Sequence, residues 1–159
     1  MKLQKNSSLA IYSVLEFAAD PTRHISAAEI ADKYGVSAHH LAKVLSELVR
    51  AGVVESVRGV GGGYRFAGNA RRLTLLDVVQ TFEAPGLLDG RREPVDFTPV
   101  GMALGAVLAE IDEIAKATLG SITLATMLRL IERQQRGAAA PAQRRKPRTA
   151  KVANNRNPA

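Results

Sequence analysis

The sequence predicts a mainly α fold that carries one two-stranded hairpin and ends in a long helix. Three observations predict it. Residues 38–50 place Leu41, Val44, Leu45, Leu48 and Val49 three and four apart, the spacing of one buried helical face. Gly52 then stops that helix, and the segments VVESV (53–57) and YRF (64–66) read as strands joined by the basic, glycine-rich tip RGVGGG. Further on, Leu104, Leu108, Ile111, Ala115 and Thr118 keep a three-four spacing over two heptads, with Val107 and Ile114 broadening the stripe. Helix, hairpin and long helix in this order give a winged helix-turn-helix domain with a two-stranded wing and a long C-terminal dimerisation helix.

The remaining elements follow in chain order. Residues 7–19 form a helix with Ile11, Val14, Leu15 and Ala18 inward, ended by Asp20-Pro21. Ser26-Ala27-Ala28-Glu29 is a capping box that opens a short helix to Tyr34, with Ala28, Ile30 and Ala31 as core candidates. Gly35-Val36-Ser37 is the turn, and Ser37 caps the next helix. After the hairpin, Thr74-Leu75-Leu76-Asp77 opens a helix to about Phe82 that buries Leu75, Val78, Val79 and Phe82. The long helix covers residues 100–119 and stops at Gly120. A last short helix over 123–133 buries Leu124, Met127, Leu128 and Ile131. The domain reading is therefore 1–83 for the winged helix-turn-helix, 84–99 for a linker rich in proline, glycine and mixed charge, 100–134 for the dimerisation helices, and 135–159 for a disordered basic tail.

Composition narrows the function. The net charge is +7, yet residues 136–159 hold seven of the 22 basic residues and no acidic one, so residues 1–135 are neutral overall. The high pI belongs to the tail and does not argue that the folded part binds nucleic acid. No apolar run is long enough to span a membrane, and Glu16 and Asp20 interrupt the N-terminal apolar stretch, which reads as a helix and not a signal peptide; a cytoplasmic location is expected. There is no cysteine, which excludes disulfides, thiol catalysis and thiolate-ligated clusters.

The chemistry points to double-stranded DNA. A recognition helix enters the major groove and a wing lies along the backbone or in the minor groove. Ser37, His39, His40 and Lys43 lie on the N-terminal half of that helix and carry donors and acceptors suited to base edges or phosphate. Arg58 suits a phosphate or a narrow minor groove, and Arg65 a phosphate. Gly59, Gly61, Gly62 and Gly63 permit sharp turns and close approach to the duplex. Leu104, Leu108, Ile111 and Ala115 are the candidate seam of a homodimer.

Ala51-Gly52-Val53-Val54 with Ser56-Val57-Arg58-Gly59-Val60-Gly61-Gly62-Gly63-Tyr64-Arg65 resembles the signature of the Rrf2 family of bacterial regulators. The resemblance extends over Met1-Lys2-Leu3, residues 26–31, 41–48 and 74–83, and more weakly over Ser121-Ile122-Thr123-Leu124, about residues 1–134 in all. Val60 stands where the family usually has proline. The resemblance implies a dimeric repressor. Cluster-binding members carry three cysteines in the segment matching residues 86–101, which here reads GLLDGRREPVDFTPVG without cysteine or histidine. No iron–sulfur cluster with the family's ligation can form, and no cofactor is expected. The signal stays open between a small-molecule effector, a partner protein and no effector at all.

Other classes fit less well. Adjacent His39 and His40 point about 100° apart on a helix and make a poor metal pair, so no metal is expected. GVGGG lacks the lysine and the strand-to-helix setting of a phosphate loop. Glu110, Asp112 and Glu113 read as a solvated helix face, and no triad or metal set indicates an enzyme. The alternative is a winged helix used for protein interaction, or a regulator whose output a partner protein sets.

Overall fold

The structure, a computed structural model, describes residues 3–83 and 94–139. They fall into two compact units divided between Leu128 and Arg129. The first contains helices α1 (Lys5–Ala19), α2 (Ala27–Tyr34) and α3 (Ala38–Arg50), strands β1 (Val54–Val57) and β2 (Gly63–Phe66), α4 (Leu75–Gln80), a single 3-10 turn (Pro94–Phe97) and α5 (Pro99–Ser121). Helix α6 (Leu124–Ala139) begins in the first unit and continues into the second.

Local chemistry sets the boundaries. Ser26 accepts the Glu29 N–H while Glu29 accepts the Ser26 N–H, so the expected capping box opens α2. The same reciprocal pair, Thr74 with Asp77, opens α4. Ser37 caps α3 by accepting the His40 N–H. Each such cap contributes about 1 kcal/mol. At the other end of α3, Gly52 takes φ +70, and the Val53 N–H donates to Leu48 O at 3.0 Å, so Val53 is still part of the helix stop and the strand begins one residue later than expected.

α1 is the centre of the first unit and packs on α3, α4 and β2. Val14 and Phe17 from α1, Ile30 from α2, Leu41, Val44, Leu45 and Leu48 from α3, Val54 from β1 and Val78 and Val79 from α4 are fully buried. Fully burying each such side chain is worth roughly 1.5–3 kcal/mol, against at most about 1 kcal/mol for each exposed ion pair on this surface, so the core dominates the stability. Strands β1 and β2 pair antiparallel with Val54 opposite Phe66, Glu55 opposite Arg65, Ser56 opposite Tyr64 and Val57 opposite Gly63.

Several expectations are corrected. Ala28 is exposed, because Ile30 and Ala31 alone turn toward the core in so short a helix. α4 ends at Gln80, and half-buried Phe82 lies in a tighter turn made by Thr81 N–H to Val78 O and Phe82 N–H to Val79 O. α5 runs past Gly120. It ends where Ile122 turns extended and accepts the Leu75 N–H at 2.9 Å, while Leu124 N–H donates to Leu73 O at 2.9 Å. Backbone pairing with the start of α4, not the glycine, stops the helix. α6 extends beyond residue 133; Leu124 is fully buried, and Met127, Leu128 and Ile131 only half-buried. Within the second unit, Arg136 pairs with Glu132 one turn away. Most of the expected linker (84–93) and the expected disordered tail from residue 140 lie outside the described residues.

Candidate nucleic-acid interface

Helix α3 buries Leu41, Val44, Leu45 and Leu48 and leaves His39, Lys43, Ser46 and Arg50 exposed. The exposed four are spaced four, three and four apart, so they form one line on the side opposite the core. Ser37 is exposed, and its hydroxyl oxygen is engaged in the cap. His40 departs from this line. It is half-buried, and its Nε2 is shielded from solvent with no hydrogen-bond partner among the described residues. Two adjacent histidines that look alike in sequence thus differ: His39 presents its ring outward, and His40 turns toward the body of the domain.

At the wing, Gly62 N–H donates to Gly59 O at 2.9 Å and closes a four-residue turn. Gly61 takes φ +77 in its third position, which favours glycine, and the fully exposed Val60 occupies the second, where proline fits best. Arg58 is exposed and has no carboxylate partner among the described residues. Arg65 is different. The register sets it across from Glu55, and the two form an ion pair. Arg50 is likewise paired with Glu47, at 2.7 Å. The cations on this side left without an ion-pair partner among the described residues are therefore Lys43 on the helix and Arg58 on the wing.

Sequence reasoning left Ser46 out of the site and did not foresee the neighbour of Gly63. Ser46 lies on the His39–Lys43 line, and helical spacing from His39 is enough to find it. Gly63 was read as a residue that lets the backbone approach a duplex; the backbone it approaches is that of Ile25. No sequence signal links two positions so far apart.

Of the expected dimerisation residues, the structure leaves Leu104 and Ile111 exposed on α5, with Leu108 and Ala115 half-buried at the edge of the same face, toward the inner side. The exposed apolar side chains Val100, Leu104, Val107, Ile111 and Ile114 repeat four and three apart along nearly the whole helix. Asp112, on the inner side, is buried.

A three-helix core with a helix-turn-helix, a glycine-tipped wing and a polar recognition face defines a winged-helix DNA-binding protein. The chain belongs to the Rrf2 family, described as iron-dependent transcriptional regulators, whose model matches residues 3–130. It is 52% identical over 136 residues to BadM, an HTH-type transcriptional regulator of Rhodopseudomonas palustris, covering 86% of each chain. Among solved structures it resembles T. potens IscR, with a TM-score of 0.64 at 28% identity over 85% of this chain and 91% of that one. It also resembles CymR, the global cysteine regulator of B. subtilis, with a TM-score of 0.67 at 25% identity over 82% and 98%. The protein is a DNA-binding transcriptional regulator of this family and not an enzyme.

The iron in the family's description does not fit this chain. It has no cysteine, its three histidines all precede residue 41, and the described residues contain no cluster of metal-ligating side chains. No described helix is long and apolar enough to cross a membrane.

Proposed function

We propose that the protein is a cytoplasmic, homodimeric repressor that binds a dyad-symmetric operator without an iron–sulfur cluster. The observation that carries this reading is the pairing of an outward polar line on α3 with a wing whose tip arginine has no carboxylate partner among the described residues. His39, Lys43 and Ser46 reach base edges in the major groove, with Ser37 at the helix start. Arg58 reaches phosphate or the minor groove, and Gly59, Gly61 and Gly62 let the tip come close. Arg65 braces the wing through Glu55. The apolar stripe on α5 pairs with the same stripe of a second copy, which sets two recognition helices on one face of the duplex and makes the target palindromic.

Footprinting of the full-length protein on genomic fragments tests the proposal. It predicts one protected region with dyad symmetry, whose half-sites are centred one or more helical turns apart. A protein-interaction module gives no protected site. Protection of a single half-site by a monomer contradicts the dimer.

A further inference from the structure

The wing is not a free hairpin. Ile25 N–H donates to Tyr64 O and Tyr64 N–H donates to Ile25 O, both at 2.9 Å, so the residue before α2 pairs with β2 as a third antiparallel segment. Ile25 is buried, and the Tyr64 ring lies 6.3 Å from that of Phe17 on α1. Gly63 sits where this contact is tightest. A Cβ there would stand 2.8 Å from Ile25 O, 3.0 Å from Ile25 C and 3.3 Å from Ser26 N. These are backbone atoms. Ile25 O cannot retreat without lengthening its bond to the Tyr64 N–H, and Ser26 is held by the α2 capping box.

The other glycines of the tip answer to local geometry. Gly59 and Gly61 have open space beside them and a positive φ, a Cβ at Gly62 would meet the wing's own Val57 and Gly59 carbonyls, and Gly63 combines a positive φ of +156 with the contact to Ile25 and Ser26. Only at Gly63 does the missing side chain admit a different part of the chain. Through Ile25 and Ser26 the return strand is keyed to α2, which packs on α3. We propose that Gly63 is a positioning residue for DNA binding: it joins the wing to the lead-in of α2 and so fixes Arg58 relative to the base-reading face of α3. The inference rests on the DNA-binding reading given above.

The test is a double-mutant cycle on the full-length protein: wild type, Gly63→Ala, Arg58→Ala and the double variant, each titrated with operator and random duplex over a range of salt. Gly63→Ala, folded by circular dichroism, should reduce the salt slope by about one unit, as Arg58→Ala does. Arg58→Ala should cost about tenfold in the wild type and less than about twofold in the Gly63→Ala background. Preference among operator variants at the positions read by Lys43 should not change. A folded Gly63→Ala protein with the wild-type slope and the full Arg58 penalty overturns the inference. Should that variant not fold, amide exchange of the wild type without DNA decides: the Ile25 and Tyr64 amides should be as slow as that of Arg65, which faces β1 in the ladder, and fast exchange overturns the inference. A wild type that binds no duplex contradicts the DNA-binding reading and takes this inference with it. A wild type that binds, with Gly63→Ala indistinguishable from it, overturns this inference alone.

Discussion

Glu16 shows how a single side chain ties two helices together. Its Oε1 accepts from Lys33 Nζ and from the Tyr34 hydroxyl, both at 2.6 Å, and Tyr34 in turn stacks on Tyr12 with ring centroids 5.0 Å apart. Burial pushes the Glu16 carboxyl up, but the Lys33 and Tyr34 hydrogen bonds and the Lys33 charge outweigh it and hold the group below the usual carboxylate range. Burial, and then the Glu16 hydrogen bond, push the Tyr34 hydroxyl well above its ordinary value, so it stays a donor. A carboxylate depressed in the folded state stabilises above its unfolded pKa of about 4.3, and that contribution is lost as pH falls through the folded value. Glu16→Gln should therefore lower stability by about 1 kcal/mol at neutral pH, with the gap closing below about pH 4. Urea midpoints of both proteins across this range check it; a gap that is constant with pH contradicts it. At the same scale, part of the site was legible and part was not. His39, Lys43 and Arg58 follow from helical phase and from the glycine-rich tip. That Arg65 is engaged by Glu55 depends on strand register, and that His40 turns inward depends on what the flank of α3 meets; neither is written in local sequence.

At the scale of elements, side-chain caps made α2, α3 and α4 readable to the residue at their starts, because each cap is local: a reciprocal pair of hydrogen bonds at α2 and α4 and a single bond from the His40 N–H to Ser37 at α3. Helix ends were less legible. The stop of α5 comes from Ile122 pairing with Leu75, a contact between segments more than 40 residues apart. The heptad-like stripe of α5 was visible, but its phase was not. Leu104 and Ile111 are exposed while Leu108 is half-buried, and the outer stripe runs through Val100, Val107 and Ile114. This phase makes a prediction. Glu at both Leu104 and Ile111 would bury unpaired charge at a homodimer seam, costing several kcal/mol, and should give folded monomers in sedimentation. Leu108→Glu should instead lower the melting temperature of the subunit itself. Dimers that survive the double substitution place the interface elsewhere.

For the whole molecule, the uneven charge separates attraction from reading. Residues 140–159 carry six basic and no acidic residues. Counterion release makes such a segment add affinity without sequence preference. Deleting it should lower the salt slope and weaken operator and random duplex nearly alike, as measured by titration at several salt concentrations. A deletion that weakens the operator selectively would mean that the segment reads sequence.

The central claim is that α3 reads bases while the wing positions the protein on the backbone. The most direct measurement is the affinity of wild type, Lys43→Ala and Arg58→Ala for a panel of single-base operator variants at two salt concentrations. Lys43→Ala should relax discrimination at particular positions, by about 1–3 kcal/mol, and leave the others unchanged. Arg58→Ala should weaken every duplex alike and reduce the salt slope by about one unit. Uniform losses from Lys43→Ala, together with a changed sequence preference from Arg58→Ala, would contradict the account.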